Sequence, residues 1–334
     1  MDLDTPEKIN YRLLSVGGIL VDEFVAIPEN AGRVECEIDN ENERISFPYG
    51  QKILTKEIEY SVGGDAADVA VGMSRLGIKS LVWATIGDDW TTKLILDTMA
   101  KESVGTSLIT TQPASRGPRG IIVNYAGERT LFSYHPRQEE NIPEEMPEVE
   151  WIYLTSMSLD YEQTYRKVVE WKAGEGVKLA FNPGSQQLSD GVAKWREVLE
   201  SCDLLFLNKE ESELVTGIKG EPKKLLLKLL AMGPKTVVVT DGPAGAYVAE
   251  TGGGLWKSSI YKVPVVETTG AGDAFATGFL AATMEGKSIE DGLKWGMVES
   301  AAVISKVGAQ TGLLHKEDFD DWLNKDGGVK VEKI

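Results

Sequence analysis

Two cysteines and two histidines are all that this chain of 334 residues offers for thiolate or imidazole chemistry. Cys36 and Cys202 have no paired spacing. That argues against a disulfide framework or a zinc site, and free thiols fit a reducing cytoplasm. With only His135 and His315, histidine-centred catalysis and multi-histidine metal sites have little support. Positive charge is scarce too: 35 Lys and Arg against 52 Asp and Glu leave a net charge of −17. Such a chain is a poor partner for a nucleic-acid backbone, although it can still bind a small phosphate locally. No apolar run approaches the roughly 20 residues that span a bilayer. The opening MDLDTPEKIN is acidic and polar, unlike a signal peptide. A cytoplasmic protein without membrane contact is expected.

Two familiar phosphate loops are missing as well. Gly286-Lys287-Ser288 looks like the tail of a Walker loop, but it follows a helical segment and Ala281 stands where a glycine is required. No G-x-G-x-x-G is complete, because Gly270 and Gly272 are followed by Phe275. That counts against a nicotinamide dehydrogenase.

What is present centres on residues 265–280, VVETTGAGDAFATGFL. A β-branched apolar run, a tight turn at Gly270-Ala271-Gly272-Asp273 and a small-residue helical segment over 274–283 follow one another. The spacing predicts strand, turn and helix N-terminus. Unpaired N–H groups and the helix dipole favour an anion there, and glycine lets it approach closely. Asp273 then reads in two ways. It is an ordinary helix cap, or it is a general base for a hydroxyl attacking a phosphoryl group held by those N–H groups.

Around this stretch the chain reads as an α/β protein large enough for a substantial core. Leu13–Val16 is a buried first strand ending at Gly17-Gly18. Residues 24–27, 33–38, 44–47 and 53–60 are short, alternating and β-like, as expected of a small sheet with one polar face. A glycine turn at Gly63-Gly64 leads into a helix ending near Gly77. A strand over 81–84, a helix over 90–102 and a strand over 107–111 follow. Strands over 120–125 and 129–134 flank the hairpin signal Ala126-Gly127 and are expected to return to the small sheet. Beyond residue 150 strands and helices alternate over short loops. Strands fall at Trp151–Leu154, Lys178–Phe181, 203–207 and Thr236–Thr240. Helices fall at 161–171, 191–200, Lys209–Thr216 and 222–232. This pattern predicts a mostly parallel sheet covered on both faces. A hairpin over 246–260 and terminal helices over 289–306 and Lys316–Asn324 complete the chain. The acidic stretch 139–150 reads as a solvated connection.

Several turns carry candidate ligands beside plain structural readings. Gly63-Gly64 is a simple turn, or a bare backbone on which a polyol lies, with Asp68 accepting from hydroxyls. Asp65 and Asp68 also suit the dipole of the following helix. Asp22 is a loop residue, or a sugar-binding carboxylate just beyond the first strand, where ligands sit in parallel α/β sheets. Asn208 and Glu211 start a helix, or hold a hydrated Mg²⁺ near triphosphate oxygens. Thr240, Gly242 and Gly245 form a common strand-end turn, or touch nucleotide phosphates. Arg129, Tyr134 and Arg137 are solvated, or meet a substrate carboxylate.

Together these stretches resemble the ribokinase-like (PfkB) carbohydrate kinase family. The resemblance rests on Gly63-Gly64-x-x-x-Asp68-x-Ala70 with Leu76-Gly77, Asn208-x-x-Glu211, Thr240-x-Gly242-x-x-Gly245 and Thr268-Thr269-Gly270-Ala271-Gly272-Asp273. It covers nearly the whole chain, and the last motif is the specific one. It implies one doubly wound α/β domain over residues 1–334, flanked by helices. A small β-sheet lid would come from about 22–61 and 108–136, and would meet a second lid across a homodimer. It implies transfer of the γ-phosphoryl of ATP to a hydroxyl of a small carbohydrate such as fructose, ribose or a keto-deoxy sugar acid, or of a nucleoside. Asp273 would be the base, and Gly270, Ala271 and Gly272 the anion hole. Glu211 and Asn208 would serve Mg²⁺, the latter through water. Asn208, Thr240, Gly242 and Gly245 would serve the nucleotide. Asp22, Gly63, Gly64 and Asp68 would face the sugar. Glu267 marks the position linked to a monovalent cation such as K⁺. The chain departs from the family at four places. Asp68 replaces a usual Asn, and Glu267 a usual Asp. Leu20 stands where ribokinase has Asn, and Asn182-Pro183-Gly184 lacks an arginine common after that strand. A non-catalytic sugar- or nucleotide-binding regulator and an acid/base lyase without nucleotide are the rival readings.

Overall fold

The computed structural model describes residues 10–29, 35–39, 42–125, 128–139, 141–158, 160–325 and 328–334. The hairpin signal Ala126-Gly127 and the start of the segment expected at 33–38 lie outside them. In chain order the strands are β1 (Leu13–Val16), β2 (Leu20–Ala26), β3 (Glu35–Asp39), β4 (Asn42–Ser46), β5 (Glu57–Gly63), β6 (Ser80–Ile86), β7 (Gly105–Thr111) and β8 (Arg119–Tyr125). They continue with β9 (Glu128–Tyr134), β10 (Trp151–Leu154), β11 (Lys178–Phe181), β12 (Leu204–Asn208), β13 (Thr236–Thr240), β14 (Ala246–Glu250), β15 (Leu255–Ser258) and β16 (Val331–Lys333). The helices are α1 (Asp65–Arg75), α2 (Trp90–Lys101), α3 (Glu162–Glu175), α4 (Ser185–Asp190) and α5 (Arg196–Ser201). They continue with α6 (Lys209–Thr216), α7 (Pro222–Leu230), α8 (Ala271–Met284), α9 (Ile289–Ile304) and α10 (Lys316–Asn324).

Strands such as LLSV, WIYL and SLVWATI are mostly apolar and buried along their whole length, because both of their faces are covered. They assemble into a ten-stranded sheet of order β7-β6-β1-β10-β11-β12-β13-β14-β15-β16. Every pair from β7 to β13 is parallel, and the last three strands add on antiparallel. On one face Val69, Met73, Phe275, Phe279 and Leu293 bring α1, α8 and α9 onto the sheet. On the other, Tyr165, Val168, Trp195, Leu199 and Leu226 do so for α3, α5 and α7. The chain runs outward from β1 through β6 to β7, then restarts at β10 and runs the other way. The order reverses between β1 and β10. The carboxyl ends of the strands there form the crevice that doubly wound sheets use for ligands.

A four-stranded sheet, β5-β2-β8-β9, stands beside the large one, and β3 and β4 pair only with each other. No described helix is long and apolar enough to cross a membrane.

Several local expectations are corrected. Residues 265–268 form no strand before α8. Val265 and Val266 are more than half exposed, and the Val266 and Glu267 N–H groups donate to the Ile304 carbonyl instead of a sheet neighbour. Residues 108–111, assigned to the small sheet, lie in β7 and pair with β6 at the edge of the large one. Asp22 lies within β2, not in a loop. The strand expected over 53–60 begins only at Glu57. The helix expected over 191–200 starts at Arg196, and α4 precedes it. The small sheet has no simple polar face: Ile58, Tyr60, Ile121, Phe132 and Tyr134 share one side of it and are about half exposed.

Candidate active site

The carboxyl ends of β1, β10, β11, β12 and β13 open onto a cavity of about 700 Å³. Gly18, Ser156, Asn182, Asn208 and Thr240 border it, one from each strand end. α8 closes its floor with Gly272 and Asp273.

The turn before α8 explains the glycines. Gly270 caps the helix at φ 74°, a left-handed conformation that favours glycine. A Cβ on it would also stand 2.6 Å from the Ala309 Cβ. The Ala271 N–H turns back to the Thr268 carbonyl at 3.3 Å. Gly272 and Asp273 follow in the first turn, where amides have no intrahelical acceptor. A Cβ on Gly272 would meet nothing within 4 Å, so bare backbone faces open space beside the carboxylate.

Asp273 is the third residue of α8, and the cap position belongs to Gly270. Its carboxyl is held well above the ordinary aspartate range, first by burial and then by the charges of Asp65, Asp68 and Glu211. Glu211 is raised too, chiefly by burial and then by Asp65. Asn208 and Glu211 make a reciprocal cap at the start of α6. The Glu211 N–H donates to Asn208 Oδ1 at 2.9 Å, and the Asn208 N–H donates to Glu211 Oε2 at 2.8 Å. The structural reading of this pair therefore holds, and both residues border the cavity as well.

Asp65, which the sequence marks only as a dipole partner, borders the cavity. Its Oδ2 accepts from Ser156 Oγ at 2.6 Å and Thr155 Oγ1 at 3.2 Å, which ties the start of α1 to the end of β10. No local signal marks this, because the partners are 90 residues away in sequence.

The expected sugar-facing group divides. Gly64 borders the cavity; Gly63, Asp22 and Asp68 are not among its lining residues. Asp22 is seated over two glycines of the adjoining strands. A Cβ on Gly120 would be 2.1 Å from its Oδ1, and one on Gly63 would be 2.9 Å from its Oδ2. Burial, then Glu267, push its carboxyl up to about 6. Asp68 is buried, and its Oδ1 accepts from Gln310 Nε2 at 2.8 Å. Thr240 borders the cavity, whereas Gly242 and Gly245 lie in the turn just beyond.

Glu267 accepts from three protein groups. Oε1 accepts from Arg129 Nη1 at 2.8 Å and Thr269 Oγ1 at 2.6 Å, and Oε2 accepts from the Gly308 N–H at 2.9 Å. Arg129 Nη2 also donates to Thr268 Oγ1 at 2.9 Å. Arg137 pairs with Asp160 away from the cavity.

Comparison with known proteins agrees with this arrangement. Residues 32–316 match the model of the pfkB family carbohydrate kinases. A ribokinase of Haemophilus influenzae is 28% identical over 311 residues, covering 85% of this chain and 95% of that protein. A solved Arabidopsis thaliana ribokinase, complexed with ribose and ATP, superposes with a TM-score of 0.79 at 20% identity, covering 95% of this chain and all of that one. A Methanocaldococcus jannaschii nucleoside kinase superposes at 0.73 with 20% identity, covering 93% of this chain and 97% of that one. With a motif-bearing cavity at the reversal of a doubly wound sheet and a family match across most of its length, this chain belongs to the pfkB family of carbohydrate kinases.

Proposed function

We propose that this protein transfers the γ-phosphoryl group of ATP to a hydroxyl of a small sugar or nucleoside, with Asp273 as the base. The observation that carries it is the half-buried Asp273 carboxyl beside the bare Gly272 backbone, in the first turn of a helix that floors the cavity. The acceptor oxygen gives its proton to Asp273 as it bonds to phosphorus. The bond from phosphorus to the β-phosphate oxygen breaks, and ADP leaves. First-turn N–H groups of α8, with Gly270 and Ala271 shaping their approach, meet the charge on the transferred group. Thr240, Gly242 and Gly245 serve the nucleotide. Gly63, Gly64, Asp22 and Asp68 serve the acceptor, the last two through the turns they brace. The small sheet acts as a lid that keeps water, a competing acceptor, from the phosphoryl group.

Asn208, Glu211, Asp65 and Asp273 are hard oxygen donors suited to Mg²⁺. Among the described residues no cluster of three or more acidic, histidine or cysteine side chains closes around an ion. That donor set fits a hydrated Mg²⁺ carried by the nucleotide, with Asn208 and Glu211 reaching it through water. When bound, the ion offsets charge on the phosphates. Arg129 is already the cation beside Glu267, whose oxygens accept from three protein donors, so the site gives K⁺ little call there. A dimer through the small sheet is part of the same reading, and its half-exposed apolar side supports it.

The test is ADP release with Mg-ATP and a panel of sugars and nucleosides, for the wild type and Asp273→Asn. The variant is expected to keep its fold and its stabilisation by Mg-ATP while turnover falls about 10²-fold or more, the scale of general-base loss. In the wild type, kcat/KM should rise with pH through a value above the ordinary aspartate range, since only the ionised carboxylate accepts a proton. Turnover close to wild type in Asp273→Asn removes the base assignment.

A further inference from the structure

The chemistry of the acceptor is written in the cavity's charge. Its ionisable lining is Asp65, Glu211, Asp273 and His135, and no described lysine or arginine lines it; the His135 Nε2 is engaged by Ser133 Oγ at 2.7 Å. Three arginines of the segment that borders it are paired elsewhere: Arg119 with Asp89, Arg129 with Glu267 and Arg137 with Asp160. A carboxylate or phosphate on the acceptor would add like charge beside three carboxyl groups, with His135 the one basic side chain among the described lining residues.

Two amides supply what the cavity offers instead. Gln187, on α4, has no exposed surface. Its Nε2 donates to the Met157 carbonyl at 3.1 Å, which fixes Oε1 as the free acceptor, and Oε1 has no partner. Gln138, which follows β9, is 3% exposed, and its Nε2 has no partner. Both side chains border the cavity. Gly184 makes room there: a Cβ on it would lie 2.2 Å from the Ser156 Cβ and 3.1 Å from Gln187 Oε1. Buried amide atoms left unpaired are costly, and a ligand that pairs them is strongly preferred over one that does not.

We infer that the acceptor is an uncharged polyhydroxyl compound, and that Gln138 and Gln187 bind one of its hydroxyl ends, the first donating and the second accepting. This rests on the kinase reading above and narrows it. Sugar acids and sugar phosphates are disfavoured; free neutral sugars and nucleosides share the required chemistry.

The experiment measures ADP release with Mg-ATP for matched acceptors: ribose, fructose and adenosine against ribose 5-phosphate, fructose 6-phosphate and a keto-deoxy sugar acid. A neutral acceptor is expected to exceed its charged counterparts in kcat/KM by about 100-fold, and the arm that responds separates free sugar from nucleoside. A charged acceptor turned over best overturns the inference and leaves the kinase reading standing. Absence of both turnover and thermal stabilisation by Mg-ATP overturns the kinase reading, and this inference with it. Gln138→Leu should raise KM for the neutral acceptor about tenfold, the worth of one hydrogen bond, with KM for ATP unchanged. Gln138→Glu, of the same size but without the donor, should do the same if the leucine variant fails to fold. Unchanged acceptor KM in a folded variant removes Gln138 from the site.

Discussion

Glu299 lies within α9 with no exposed surface. Its Oε2 accepts from the Leu314 N–H at 3.2 Å, and its Oε1 has no partner. Burial pushes its carboxyl up to about 8 from an ordinary 4.5. An acid raised in the folded state resists ionisation there. Its stabilising neutral form is intact below the unfolded value and is lost as pH climbs towards the folded one. Glu299→Gln abolishes this titration. The expected thermal midpoints coincide near pH 4 and separate by several degrees near pH 8, the variant being the more stable. Parallel curves across that window would show that Glu299 does not titrate. At this scale the sequence was informative where one turn carries its own chemistry. Gly272, Asp273, Asn208, Glu211 and Thr240 are each set by neighbours within a few positions, and all border the cavity. Asp65, Gln138, Gln187 and Glu299 gain their surroundings from residues far along the chain, such as Ser156, Met157 and Leu314, so nothing local marks them.

The elements meet at a single carboxylate. Glu267 joins Arg129 of β9 to Thr269 before α8 and to Gly308 after α9. The edge of the small sheet is thereby fastened to the turn that holds Gly270 and Asp273. Arg129→Ala should lower turnover about tenfold and let water compete, so that ADP released exceeds sugar phosphate formed. The stability change should be small, since the Arg129 side chain is 34% exposed. An unchanged one-to-one ratio would limit the pair to tying loops together. Helices are the legible elements: α6 begins at its Asn208–Glu211 cap and ends at the left-handed Gly217, and α10 spans the residues its apolar spacing marks. The coil over 265–268 was not, because β-branched residues favour a strand only when a neighbouring strand receives them, and here a helix end does. The short helix α4 was missed because six residues carry too little periodicity to be read.

For the molecule as a whole, short apolar runs alternating with helices announced a parallel sheet, and the solved relatives share that fold. Strand partners were less legible. β7 has the same alternating character as the strands of the small sheet, and only its position after α2 delivers it to the larger one. The apolar side of the small sheet bears on assembly. Scattering or sedimentation over a range of concentrations should give twice the monomer mass, and Phe132→Glu should shift the species to monomer. A wild type that stays monomeric at all concentrations would remove the dimer. At the opposite flank, β16 covers β15: the Ile334 N–H donates to the Leu255 carbonyl at 2.8 Å, and Lys333 lies over the Trp256 ring. A protease cut ahead of Gly328 would spare every wall of the cavity and strip this strip away. It would leave an open row of β15 backbone groups beside an uncapped tryptophan, a template for stacking further chains, so clumping would set in while the chemistry was still intact.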